Sequence, residues 1–353
     1  MKTTTPMSIR LCALLLCAFL LSACSVQVIG YDDPTDTIPP KEQEVISPLQ
    51  TTTPPTSTQP PVTTPALTTP VTTLPPAPPA IPTEPFEELA RNGRYIAVYD
   101  LKNDCLLYTT DLEQAIYPAS TTKLLTLQYA LTLTQEDTIF TVGSEINIAP
   151  YDSSKAKIRQ GERYTRRDIF AALLLPSGND AAYTLAATCG RLLAPDETLT
   201  NQQAVDRFME GLNQYAVSLG LNDTHFVTPD GYHHKDHVTS MADMLTIAKL
   251  AMEQPLIAEL TATATYTVTD LDGKRTQVWQ NSNFLLHESN KFYYPYATGC
   301  KTGFHDSAGA CLIATAKKGD EELMVMVFKC SNKDARFTDA VRFLELGFEL
   351  LES

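Results

Sequence analysis

Long apolar runs are scarce in this chain. The one continuous stretch, Leu11 to Leu21, follows Lys2 and Arg10 and closes on Leu21-Ser22-Ala23-Cys24. A helix that crosses a bilayer core needs about 20 apolar residues. This run is little more than half that length, which excludes a spanning anchor and leaves an export leader over residues 1–23. Basic clusters are also missing. Lys and Arg total 27 against 41 Asp and Glu, a net charge of -14, so nucleic acid is not an expected partner and the acidity argues mainly for solubility. No CxxC pair offers a zinc site, and no internal repeat is found. Of the eight cysteines, Cys12 and Cys17 leave with the leader and Cys24 stands apart. Cys105, Cys189, Cys300, Cys311 and Cys330 remain, an odd number. Export permits disulfides, but buried or free thiols are the expected state, with Cys300 and Cys311 the pair to test.

Aromatic residues nearly vanish between Val26 and Pro85, where Thr and Pro dominate, as in Thr51-Thr52-Thr53-Pro54-Pro55 and Leu74-Pro75-Pro76-Ala77-Pro78-Pro79. Such a segment cannot bury enough apolar surface to offset its ordering entropy, and its prolines favour extended polyproline II. Residues 24–85 therefore read as a spacer, which at about 3.1 Å per residue reaches on the order of 100 Å or more. From Phe86 to Ser353 the composition is that of one large globular domain or two intimate subdomains.

Within it, Tyr95-Ile96-Ala97-Val98-Tyr99 alternates as a strand, with Cys105-Leu106-Leu107-Tyr108-Thr109 as its hairpin partner. Ser120 to Leu133 carries apolar residues all round and predicts a buried helix capped by Ser120. Helices are expected over Thr165–Leu175, Asn179–Ala187, Asp206–Leu219 and Met241–Met252. Three strands follow, Tyr296–Phe304, Ala310–Lys317 and Leu323–Cys330, and a last helix over Ala335–Leu351. Two strands, a helical block, three strands and a closing helix predict an α+β fold. Its sheet is antiparallel, its first and last segments meet, and a helical insertion spans about 112–260.

Three short motifs stand in order along this frame: Ser120-Thr121-Thr122-Lys123, Ser177-Gly178-Asn179 and Lys301-Thr302-Gly303. A spacing of three places Ser120 and Lys123 on one helical face. The amine can then take the serine proton, provided burial and neighbouring cations, Lys301 among them, depress its pKa. Ser177 can relay a proton to a leaving amine, and Asn179 can hydrogen-bond a peptide backbone. Lys301 and Thr302 on a strand can bind a terminal carboxylate, and Gly303 can let substrate approach the backbone. Each triplet alone reads more readily as a capped turn or a solvated lysine; it is their joint occurrence, in this order, that carries the chemistry. His233, His234 and His237 raise a metal site, but no Cys or Glu joins them at ligand spacing, and no metal or cofactor is expected. Trp279 and the stretch Phe292 to Tyr296 are read as core and surface residues.

The residues around the triplets extend a resemblance. They are Tyr117-Pro118-Ala119, Ser153-Ser154, Gly161-Glu162, Leu173 to Ala182, Thr228-Pro229-Asp230-Gly231, His237, Gly299 to Phe304, Ala308-Gly309 and Arg336-Phe337. Together these resemble the penicillin-recognising serine enzymes, and more narrowly the D-alanyl-D-alanine carboxypeptidase family of low-molecular-mass penicillin-binding proteins. The resemblance implies a five-stranded antiparallel sheet flanked by helices with an all-helical subdomain. It implies an acyl-enzyme at Ser120, Lys123 as general base, Ser177 as relay, and an oxyanion hole from the backbone N–H groups of Ser120 and Phe304. Substrate would be a peptidoglycan stem peptide ending in D-Ala-D-Ala, and β-lactam antibiotics would acylate the same serine. Glycine at 178, where many related lactamases carry aspartate, narrows the class. Leu21-Ser22-Ala23-Cys24 resembles the bacterial lipoprotein lipobox, which implies lipidation of Cys24 and a tether on the outer side of the cytoplasmic membrane, facing the wall. Cleavage by an ordinary signal peptidase, with Cys24 left as a thiol, is the alternative.

The sequence departs from the family in stopping soon after the expected catalytic domain, and the lipid and spacer would replace a C-terminal anchor. A serine β-lactamase is the alternative enzyme, but no Glu-x-x-Leu-Asn loop lies between Ser177 and Lys301. Glu210-Gly211-Leu212-Asn213 is one residue short and falls in a predicted helix. A non-catalytic wall-binding or antibiotic-sensing lipoprotein is the third reading, and the intact motifs argue against it.

Overall fold

The computed structural model of the protein describes residues 82–352; the expected leader, the lipidation site Cys24 and nearly all of the spacer lie outside the described residues. Helix starts at Glu84, two residues before the expected domain boundary, and Phe86 in that turn is fully buried against the rings of Tyr108 and Phe343.

A five-stranded antiparallel sheet runs in the order Cys105–Thr109, Tyr95–Asp100, Glu321–Cys330, Gly309–Lys318, Ala297–His305. The first hairpin thus joins the last one, as the order of strands predicts. Both faces of the central strand are covered, which is why Glu321–Cys330 reads as a nearly unbroken apolar run. Leu323, Val325 and Val327 pack towards Phe343, Leu344 and Phe348 of the C-terminal helix Ala335–Glu352. Met324, Met326 and Phe328 alternate to the opposite face and join the core of the second lobe.

That lobe is built around the helix Lys123–Leu133, whose residues from Lys123 to Ala130 are all buried. A helix apolar on every side must be enclosed, and Arg166–Leu174, Asn179–Leu192, Asn201–Ser218 and Met241–Met252 belong to the same core. Capping boxes begin two of them, Thr165 with Asp168 and Thr200 with Gln203. The second box starts its helix at Asn201, five residues before the predicted start. The lobe is not purely helical. Three two-stranded ribbons belong to it: Ala115–Ile116 with Thr239–Ser240, Ile139–Thr141 with Arg163–Thr165, and Thr265–Thr269 with Thr276–Gln280. The last ribbon and the preceding helix Pro255–Ala262 were not anticipated, and they carry the insertion past residue 260.

All five cysteines of the domain are free thiols. Cys300 faces Ala314 across the ladder and Cys311 faces Gly303, so the pair considered for a disulfide does not meet. Burial pushes the thiols of Cys300 and Cys330 up to about 12, far from thiolate reactivity.

Candidate active site

Ser120 sits in a 3-10 turn, Ala119–Thr122, that leads directly into the helix Lys123–Leu133. The expected N-cap role is corrected here: no side chain caps this turn, and the serine hydroxyl is left to other partners. Thr121 and Thr122 turn their hydroxyls back onto the carbonyls of Pro118 and Ala119, so the tight turn is held by side chains as well as backbone. Ala119 has a φ of 48°, a left-handed conformation that costs a residue with a Cβ about 1 kcal/mol or more and recurs where a side chain must be aimed.

Lys123 is fully buried, and its Nζ has three neighbours: Ser120 Oγ at 3.0 Å, Asn179 Oδ1 at 2.8 Å and the Asp230 carbonyl at 2.7 Å. A neutral amine has two N–H bonds and one lone pair. With the hydrogens donated to Asn179 Oδ1 and the Asp230 carbonyl, which can only accept, the lone pair faces Ser120 Oγ. Burial lowers the amine from 10.5 to about 8, while the Asp230 and Asp180 carboxylates pull the other way. Burial is the largest cause of this shift. Lys301 is itself pushed well below its ordinary value, first by burial and then by Lys123.

The second motif occupies the tight turn between Arg166–Leu174 and Asn179–Leu192. Ser177 has a φ of 58°, and its Oγ accepts from Lys301 Nζ at 3.0 Å. Lys301 also donates to the Thr302 carbonyl at 3.0 Å; because Ser177 Oγ is the acceptor in its bond with Lys301, the Ser177 proton is free to point elsewhere. Gly178 is fixed by sterics: a Cβ there would lie 2.6 Å from the Ala172 carbonyl oxygen and 2.9 Å from Ala156 N. Asp180 buries its carboxylate against the backbone N–H groups of Ala156, Ile158 and Ala181. This ties the loop bearing Ser153 and Ser154 to the start of the helix. Trp279 adds a bond from Nε1 to the Ala156 carbonyl at 2.9 Å, a supporting role in the core as its reading anticipated.

Lys301, Thr302, Gly303 and Phe304 lie on the edge strand Ala297–His305. Thr302 Oγ1 is 2.6 Å from Ser282 Oγ. Gly303 lines the cleft, but the space its missing Cβ would fill is taken by the nucleophile turn: such an atom would lie 3.1 Å from Ala119 Cβ and 3.2 Å from Ser120 N. Gly303 thus permits the close approach of the serine turn to the strand. Phe304 extends its ring to solvent under Lys333 Nζ, 4.0 Å from the centroid.

These segments enclose a cleft of about 640 Å³ lined by Ser120, Ser154, Ser177, Asn179, Thr302 and Arg336, among others. Arg336 was noted only within the resemblance and not among the candidate site residues. It is buried, donates from Nη1 to the Gly303 carbonyl at 2.9 Å and places a guanidinium beside the strand. A cation there, with two hydroxyls and the neighbouring lysine, suits a carboxylate. The chemistry open to the arrangement is acyl transfer by a serine with an amine base, on a substrate bearing an anionic end.

Other candidates lie apart. Glu210 is exposed on Asn201–Ser218 and pairs with Arg207, away from the cleft lining. His237 is buried against Phe226, accepts the N–H groups of Val227 and Thr228 at Nδ1 and meets Thr122 Oγ1 at 2.8 Å through Nε2. Both its nitrogens are engaged, and burial lowers its pKa well below the ordinary value. Among the described residues no group of three or more His, Cys, Asp or Glu is disposed to hold a metal.

Residues 83–332 match the sequence profile of the D-alanyl-D-alanine carboxypeptidase family. The chain is 32% identical over 256 residues to a D-alanyl-D-alanine carboxypeptidase of Streptomyces sp. strain K15, covering 69% of this chain and 83% of that one. It is 27% identical over 270 residues to the D-alanyl-D-alanine carboxypeptidase DacF of Bacillus subtilis strain 168, covering 75% of this chain but 64% of that relative's length. The crystal structure of the Streptomyces K15 DD-transpeptidase superposes with a TM-score of 0.67 at 28% identity, over 74% of this chain and 98% of the other. By sequence profile, by identity to a relative over more than two thirds of its length and by fold, the chain belongs to the D-alanyl-D-alanine carboxypeptidase family of serine peptidases.

Proposed function

We propose that the protein is a serine-type D-Ala-D-Ala carboxypeptidase that trims the terminal D-alanine from peptidoglycan stem peptides, and that β-lactams acylate the same serine. The observation that carries this reading is the disposition of Lys123 Nζ, with two carbonyl acceptors on one side and Ser120 Oγ at 3.0 Å on the other. In this mechanism Ser120 Oγ attacks the carbonyl carbon of the penultimate residue while its proton passes to Lys123. The backbone N–H groups of Ser120 and Phe304 receive the developing oxyanion. The C–N bond breaks as Ser177 hands a proton to the departing nitrogen and is resupplied from Lys123, so D-alanine leaves with a neutral amine beside its carboxylate, takes its second proton from solvent, and the acyl group stays on Ser120. Water, deprotonated by the same amine, then cleaves the ester. Asn179 holds the peptide backbone, and Lys301, Thr302 and Arg336 hold the terminal carboxylate, which limits the enzyme to free C-termini.

The site is proposed to work at the wall from a tether. Residues 1–23 would be removed, Cys24 lipidated on the outer side of the cytoplasmic membrane, and residues 24–85 would span the gap to a catalytic domain over 86–353. None of the helices of the described residues is long and apolar enough to cross a membrane, and attachment through a lipid at Cys24 does not call for one. Membrane fractionation of the wild type against Cys24→Ala tests the tether: release of the variant into the soluble fraction supports it, and equal retention contradicts it. For the chemistry, incubation with a peptide ending in D-Ala-D-Ala should release one D-alanine, and Ser120→Ala should release none. Activity remaining in Ser120→Ala would contradict the assignment.

A further inference from the structure

We propose that Asp230 is a positioning residue for the general base, its buried carboxylate supplying the counter-charge for the ammonium that forms on Lys123 when it takes the Ser120 proton. This deepens the reading above and rests on it. Asp230 is fully buried. Its carbonyl oxygen accepts from Lys123 Nζ at 2.7 Å, which brings this residue's backbone into direct contact with the amine. Of its side chain, Oδ1 accepts from the Tyr232 N–H at 3.0 Å, and no donor of the described residues reaches Oδ2. A buried carboxylate with one oxygen lacking a protein donor is uncommon and calls for a reason. Nothing in the acyl-transfer steps uses it directly.

Its surroundings supply the reason. The charged and titratable groups acting on Lys123 are Asp230, Asp180, Lys301 and His237. Lys301 opposes an ammonium at Lys123, and His237 is held neutral by its burial. Asp180 favours the ammonium, but its two oxygens already receive the N–H groups of Ala156, Ile158 and Ala181, and these dipoles oppose its field. Asp230 has one N–H on one oxygen, so its charge is the less cancelled of the two. The remaining neighbours are Tyr183 and Tyr232, whose phenols are pushed up, first by burial and also by Asp230, and so stay neutral. A proton moved from Ser120 to Lys123 thus arrives at a site where a negative charge is already fixed, with no reorganisation at the moment of reaction.

Asp230→Asn keeps the shape, the carbonyl contact with Lys123 and an acceptor for Tyr232, and removes only the charge. The experiment follows the rate of acylation of the purified full chain by benzylpenicillin from pH 5 to pH 10. Loss of the negative charge disfavours the ammonium, so Lys123 deprotonates at lower pH. The acidic limb should move down by about one pH unit, and the plateau rate should fall a few-fold because a weaker base drives the transfer. A reduced rate with the limb unmoved would assign Asp230 a structural role and overturn the proposal, while absence of any adduct on the native chain would instead overturn the acyl-serine reading itself. If the variant does not fold, infrared difference spectra of the native chain labelled with 13C at the aspartate carboxyl decide the matter. A carboxylate band that shifts with the same midpoint as the acylation limb supports the pairing, and bands that do not move there contradict it.

Discussion

Lys123 Nζ lies 3.0 Å from Ser120 Oγ, although Ser120 belongs to a 3-10 turn and Lys123 is the first residue of the α-helix that follows. The change of helix type between them does not separate the pair, because three residues make one turn of a 3-10 helix and set the two side chains on the same side. The hydroxyl lines the cleft, and the fully buried amine lies directly behind it.

Acylation should depend steeply on pH. Burial lowers Lys123 to about 8, and only the neutral amine can accept the serine proton. Acylation should therefore rise with pH and level off above about 8. At pH 6 the neutral fraction is about one hundredth, so the rate should be about 100-fold below the plateau. Stopped-flow or quenched acylation rates across this range check it, and a rate flat from pH 6 to 9 would rule out a lysine base with this pKa.

Lys123→Arg retains the positive charge but cannot lose its proton at any working pH. Acylation should drop about 10²–10⁴-fold and should not recover at pH 10. Recovery at high pH would assign the base to another group.

Gly178→Asp introduces the residue that distinguishes many lactamases. Its Cβ would meet the Ala172 carbonyl oxygen at 2.6 Å and Ala156 Cβ at 2.8 Å, and backbone does not yield cheaply. We expect a loss of about 1–3 kcal/mol of stability and slower acylation, since Ser177 and Asn179 move with the turn. Urea denaturation and acylation rates measure the two effects separately.

Arg336→Ala removes the guanidinium beside Gly303 and Thr302. For a peptide with a free C-terminus, kcat/KM should fall by about 2 kcal/mol or more. For the same peptide amidated at its C-terminus the variant and wild type should differ little. An equal loss on both peptides would assign Arg336 to the fold and not to the carboxylate.

Asp339 on the C-terminal helix accepts from the N–H groups of Asn92 and Gly93 at 2.6 and 2.8 Å. Asp339→Ala leaves these donors unpaired and should cost about 1–3 kcal/mol. The acylation rate of the folded fraction should stay unchanged, because the contact stabilises the side of the sheet that faces away from the helical lobe.

Much of this site is legible in the sequence, for a local reason. Ser120 and Lys123 are one turn apart, Ser177 and Asn179 flank one tight turn, and Lys301 to Phe304 follow one another on a strand, so short spacings alone bring each group together. The sheet was readable because strands such as Glu321–Cys330 are apolar and bounded by turn residues. Contacts between distant segments were not readable. The Asp230 carbonyl reaches Lys123 across 107 residues and Arg336 reaches Gly303 across 33, and no spacing rule links them. Pro255 looks like a breaker in sequence, yet it opens the helix Pro255–Ala262, where a missing N–H costs nothing. The capping of Ser120 was misjudged because Thr121 and Thr122, not the serine, secure the turn.

The most direct test is the intact mass of the purified full chain followed over time with benzylpenicillin, alongside Ser120→Ala. A single covalent adduct of the drug's mass, long-lived on the wild type and absent from the variant, is the predicted result. No adduct on the wild type, or an adduct that persists in Ser120→Ala, would contradict the acyl-serine account, and rapid turnover of the adduct with consumption of the drug would make the protein a β-lactamase instead.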